Sequence, residues 1–258
     1  MTGQGMWWSP FILIGFLLEW GRGLILCITL FALSSAWANP LNKNENQQVN
    51  ALAGLVICPG TKLGNEVEGN GFLYDGRRSL IFSAHQVIDS LGRWREPLEN
   101  CYWESRAGER IYFEKNSAIA ATANPSQNED LDLATALLRT PFGGATAISL
   151  FTGDPLGVSE VISVSVSKKW SYALTGALEV RTRSCRVTDQ FNSTESHGAI
   201  LITDCELKER EMGAAQFVKA NGKLLFLGIA VASQTEGGKT LTKILVLDSV
   251  SMARLFSR

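Results

Sequence analysis

From Leu52 onward the chain is written in short apolar runs parted by glycine and polar residues, and many of the runs alternate. The plainest is EVISVSVS, Glu160 to Ser167, in which Ile162, Val164 and Val166 alternate with Ser163, Ser165 and Ser167. Alternation with a period of two puts one set of side chains in a core and the other in water, which a strand can do and a helix cannot. Similar runs recur in GFLY, SLIFSAH, GAILITDC, KLLFLGIAVAS and TKILVLDS. Asp75-Gly76 and Asn221-Gly222 lie between such runs and carry the two-residue hairpin signal. Turn signals about every ten residues specify an all-β sandwich or barrel. At the end, DSVSMARLFSR offers Asp248 or Ser249 as an N-cap before apolar residues at helical spacing, so a C-terminal helix is expected.

The first residues are of another kind. Met1 to Leu33 is mostly apolar, and Ala36-Trp37-Ala38 supplies small residues at the spacing that signal peptidase cuts. Residues 1–38 are therefore read as a leader removed after Ala38, which makes the protein secreted or periplasmic; a retained membrane anchor is the alternative. Residues 39–51 are polar and short of large apolar side chains, and are expected to be a flexible arm before the folded domain, 52–258. Setting aside Cys27 of the leader leaves Cys58, Cys101, Cys185 and Cys205, an even number in a chain that reads as exported, where disulfides form and persist. Order and spacing suggest Cys58 with Cys101 and Cys185 with Cys205, although four cysteines allow three connectivities. No pair has C-x-x-C spacing, so neither a zinc site nor another cofactor is expected. With 24 basic and 25 acidic residues and no basic block, nucleic acid is not an expected partner. His197 sits in a polar loop and is expected to be exposed.

Three motifs follow in a telling order: GNGFLYDGRRSLIFSAHQVID, then DLDLATALLRT, then TDCELKEREMGAAQFV with GKLLFLGIAVAS. Together they resemble the trypsin-like (chymotrypsin-fold) serine peptidases, especially secreted bacterial members. The resemblance implies two packed antiparallel six-stranded Greek-key β-barrels, divided near residues 140–155, with a C-terminal helix. It places His85 at the general base and Asp132 at the carboxylate that orients it, with Asp130 as the backup. A histidine is suited to the first role because its ordinary pKa lies near neutrality, and a buried carboxylate fixes its tautomer.

At the third motif the pattern breaks. Met212 stands where the family keeps its nucleophilic serine, and Arg210 stands where a glycine N–H helps to form the oxyanion hole. A thioether has no proton to surrender and cannot form an acyl-enzyme. The run ELKEREM is made of helix formers, so a helical turn is expected in place of a catalytic elbow. Glu206 matches the base of the specificity pocket. The expectation is a monomeric homologue that binds a peptide or protein in the inter-barrel cleft without hydrolysing it. The rival is a serine-type endopeptidase with another nucleophile, for which Ser233 and Thr235 are the candidates, and a third possibility is a structural or inhibitory module.

Overall fold

A computed structural model describes residues 40–59, 66–95, 97–143, 145–169, 171–194 and 198–256. The leader with Cys27, and His197, lie outside them. The chain from Leu41 onward forms one unit with two antiparallel sheets. In chain order the first holds β1 (Ala53–Pro59), β2 (Glu66–Leu73), β3 (Ser79–Phe82), β4 (Tyr102–Ser105), β5 (Arg110–Tyr112), β6 (Ile119–Ala120) and β7 (Ala134–Leu137). The second holds β8 (Glu160–Lys168), β9 (Leu178–Asn192), β10 (Ala199–Thr203), β11 (Ala215–Ala220), β12 (Lys223–Glu236) and β13 (Lys239–Val246), with a short helix α2 (Tyr172–Thr175) between β8 and β9.

The second sheet is a closed six-stranded barrel in the order β10-β13-β12-β11-β8-β9. The first differs from the expected six strands: it is a seven-stranded sheet, β5-β4-β1-β2-β3-β7-β6. A bridge between Phe113 and Leu138 joins the ends of β5 and β7 and rolls the sheet up, leaving the two-residue β6 outside the closure. Between the sheets, Phe72 of β2 stacks on Phe226 of β12 at 4.7 Å and meets Phe217 of β11 edge-on at 5.4 Å, and all three rings are fully buried. Such pairs add about 0.5–1.5 kcal/mol each beyond their burial.

Of the two hairpin signals, Asn221-Gly222 gives the expected two-residue turn, with φ of 51° and 73° at the two residues. Asp75-Gly76 lies instead in a longer turn between Leu73 and Ser79. There the Asp75 carboxylate accepts the N–H groups of Arg77, Arg78 and Ser79, so the side chain does the work of a tight backbone turn. The C-terminal helix α3 (Ser249–Phe256) begins as expected, with Asp248 Oδ1 accepting the Ser251 N–H at 2.6 Å.

The arm at 39–51 needs correction: it is mostly helix. Helix α1 (Lys43–Leu52) is closed by a capping box in which Asn42 Oδ1 accepts the Glu45 N–H at 2.9 Å and Glu45 Oε2 accepts the Asn42 N–H at 2.8 Å. Val49 and Leu52 are buried in the core, and Glu45 pairs with Lys219 at 2.9 Å, so the folded domain begins at Leu41.

Both suggested disulfides are present, Cys58–Cys101 tying β1 to the start of β4 and Cys185–Cys205 tying β9 to the segment after β10. Their sequence separations of 43 and 20 residues set the chain entropy that each bond removes from the unfolded state. The loop-closure relation gives about 4 kcal/mol for the first and about 3 kcal/mol for the second. Replacing Cys58 and Cys101 by Ala together should therefore lower stability more than replacing the other pair, as read by denaturant unfolding at equal m-value. A larger loss for Cys185 and Cys205 would contradict this ordering.

Candidate active site

The register of β3 on β7 pairs Phe82 with Ala134, so the residues that leave β3 meet the residues that enter β7. A turn of 3-10 helix at Ala84–Gln86 follows β3, and another at Glu129–Leu131 precedes Asp132. This brings His85 and Asp132 together: the Nδ1 of His85 lies 2.8 Å from Asp132 Oδ2, and its backbone N–H donates to Oδ1 at 3.0 Å. The Ser83 hydroxyl also donates to Oδ2. Asp132 is fully buried while the imidazole is 43% exposed, so one ring face is anchored and the other open. Asp130, the backup for the orienting role, is turned away to Lys243 at 3.1 Å.

With its Nδ1 proton given to Asp132, neutral His85 presents a lone pair at Nε2. The hydrogen bond that His85 donates to Asp132 raises the His85 pKa above 6.5; burial opposes this, and the charges of Asp132, Glu129 and Glu209 add to it. A raised folded-state value means that the pair's contribution to stability is fully present below pH 6.5 and is lost as pH rises through the folded pKa. NMR titration of His85 should give a pKa above 6.5, and Asp132→Asn should lower it. An unchanged value in the variant would remove Asp132 as the cause.

The segment around Met212 is the expected helical turn, a 3-10 turn at Glu209–Glu211. Its amides face inward: Met212 N–H donates to Glu209 O at 3.2 Å, Gly213 N–H to Ala230 O at 2.8 Å and Ala214 N–H to Glu211 O at 3.1 Å. The Met212 amide is thus spent within the turn and is not free to donate to a ligand in the cleft. Met212 is half-buried, packs against the second barrel's core and borders the cleft that His85 lines. That cleft has a volume of about 420 Å³ and runs between the sheets, with Val67 to Gly69 of β2 on one side and Val231 to Ser233 of β12 on the other.

The side chains of Asn70, Gln86, Glu211, Ser165 and Arg183 hold this turn, and the sequence alone gives none of them that role. Asn70, 2% exposed, donates from Nδ2 to Val166 O at 3.1 Å and to Arg210 O at 3.2 Å, and its Oδ1 accepts the Val166 N–H. Its backbone N–H donates to Met212 O at 2.8 Å, and Gln86 Nε2 donates to the same carbonyl at 3.3 Å. Glu211, buried, accepts from Ser165 Oγ at 2.6 Å, from Arg183 Nη2 at 3.0 Å and from the Lys208 N–H at 3.0 Å. Burial works against the Glu211 carboxylate, but the Ser165, Lys208 and Arg183 contacts outweigh it and hold its pKa below the ordinary value. The glycines of GNGFL were a legible signal, since a Cβ on Gly69 would fall 2.2 Å from Gln86 Nε2. Glu211 had none, because ELKEREM reads as a solvated charge run.

Glu206 is corrected by the structure. It is exposed between the buried Cys205 and Leu207 and does not border the cleft, because strand-like alternation turns it outward. Ser233 does line the cleft, whereas Thr235 sits at the exposed far end of β12 opposite Thr240. The hydroxyl at His85 Nε2 belongs to neither: it is Ser126 Oγ, at 3.3 Å.

No family model matches the sequence, and no curated protein matches it in sequence. Solved structures do match in fold. The thermostable serine protease AL20 from an extremophilic microorganism superposes with a TM-score of 0.57 at 12% identity, over 81% of this chain and 97% of that one. The active form of an M. tuberculosis protease gives 0.57 at 12%, over 85% and 83%. The tobacco vein mottling virus protease gives 0.56 at 11%, over 87% and 88%. Two packed antiparallel sheets, the His85–Asp132 pair at their junction and these neighbours together identify the fold as that of the trypsin-like serine proteases.

Proposed function

We propose that the protein is an exported homologue of the trypsin-like peptidases that holds an extended peptide in the cleft between its barrels and does not cleave it through position 212. The observation that carries this reading is Met212 at the cleft beside a retained His85–Asp132 pair, with its own amide donated to Glu209. Strand addition is supported by the lengths of β11 and β12. Pairing between them ends with Ala215 opposite Ile229, and within β12 Gly213 and Ala214 bond only to Ala230. Beyond that point Ala232 and Ser233 pair with β13 on one side, past a bulge at Val231, and all three residues border the cleft on the other, which is an edge of the kind that takes an added peptide strand.

The two disulfides accord with export, where such bonds form and persist. The test is capture of peptides from a mixed library by residues 39–258, with Ala232→Trp as the blocking variant, since an indole at this cleft-lining position fills the groove. Peptides retained by the natural chain and lost with Ala232→Trp are expected. Retention that the variant leaves unchanged, or no retention at all, would falsify the reading.

A further inference from the structure

We propose that Ser126, held against the Nε2 of His85, is a nucleophile, so that Ser126, His85 and Asp132 form a reactive site for small carboxylic or phosphonic esters beside the closed position at Met212. The hydrogen-bond chain runs without a gap: Ser126 Oγ to His85 Nε2 at 3.3 Å, His85 Nδ1 to Asp132 Oδ2 at 2.8 Å, and Asp132 anchored further by Ser83 and the His85 amide. These are the two contacts that define an activated hydroxyl, nucleophile on base and base on orienting group. A serine that merely decorated a mobile loop would not be placed so. The Asn124 carbonyl accepts the N–H groups of Gln127 and Asn128, both at 3.1 Å, and Pro125 between them is buried. The loop also rests on Gly92, where a Cβ would fall 2.4 Å from Asn124 Oδ1.

The chemistry balances with water as the only co-reactant. Ser126 Oγ bonds to the carbonyl carbon of the ester while its proton passes to His85 Nε2. The bond to the leaving alkoxide then breaks, and that oxygen takes the proton from His85. Water, deprotonated by the same nitrogen, releases the acid and restores the serine. Glu129 and Glu209 border the cleft with His85, and their charge favours the imidazolium formed in both steps. Arg95 is the one guanidinium on the cleft wall among the described residues. It is the group available to answer negative charge on the carbonyl oxygen. Ser126 is exposed, so the site admits small esters without requiring the cleft to hold a peptide.

The probe is a biotinylated fluorophosphonate, which transfers its phosphonyl group to an activated serine with loss of fluoride and a proton. Peptide mass mapping should place the label on Ser126. Ser126→Ala should abolish it, and His85→Ala should slow it by about 100-fold or more, the usual share of a general base. A second variant tests the geometry separately: Ser126→Cys should be alkylated by iodoacetamide with a pH profile shifted to lower pH, and adding His85→Ala should return that profile to that of a free thiol. Label on Ser233 or on no residue overturns the proposal, as does alkylation of the Ser126→Cys variant that is indifferent to His85.

Discussion

Asn70→Ala is expected to lower the stability of the domain by about 4 kcal/mol, because the lost amide leaves two or three buried backbone groups unpaired at about 1–3 kcal/mol each. Those groups are the Val166 N–H and C=O in β8 and the Arg210 carbonyl in the 3-10 turn. In a domain of this size the loss corresponds to a Tm lower by about 10 °C. Asn70→Asp separates the contributions: it keeps an acceptor for Val166 N–H but replaces both Nδ2 donations with a negative charge facing two carbonyls, so it should be no better tolerated. The comparison that decides is Arg210→Ala, which keeps the carbonyl and should cost under about 1 kcal/mol, as exposed substitutions do. If Asn70→Ala is as mild as Arg210→Ala, the buried network does not hold the turn.

The same residue shows what could be read in advance and what could not. Strand periodicity and the Asn221-Gly222 hairpin follow from local chemistry, and so does Asp248 as an N-cap, since each is decided within a few residues. His85 and Asp132 were legible because their motifs lie at the ends of paired strands, and the β3–β7 register then brings the two side chains together. Asn70, Glu211 and Ser126 were not, because each acquires its role from a partner far along the chain. Asn70 bonds across 96 and 140 residues, Glu211 across 46 and 28, and Ser126 across 41. The arm before β1 failed for the opposite reason. Its polar composition outweighed the Asn42–Glu45 capping signal, although Val49 and Leu52 suffice to bury one face of the helix.

The largest effect expected of any variant is one that does not appear. Met212→Ser, assayed with Ser126→Ala so that only position 212 can act, should hydrolyse a peptide library no faster than the natural chain. Restoring a hydroxyl beside His85 supplies a nucleophile and a base, but the tetrahedral intermediate also needs donors for its oxyanion, each worth about 10²–10³ in turnover. At position 212 the amide is committed to Glu209 and the turn is capped by Glu211 on the Lys208 N–H, so one donor and about 10²–10³ in rate stays missing. The barrier is then the conformation of Glu209–Met212, and it can be addressed apart from the nucleophile. Adding Arg210→Gly and Glu211→Ala releases the cap and supplies the residue that tolerates a reversed peptide. Peptide cleavage should rise by about 100-fold or more over Met212→Ser alone if one donor is regained. Cleavage by Met212→Ser without those changes would mean that a bound peptide opens the turn itself, and the buried Glu211–Arg183–Ser165 contacts would then be a latch and not a lock.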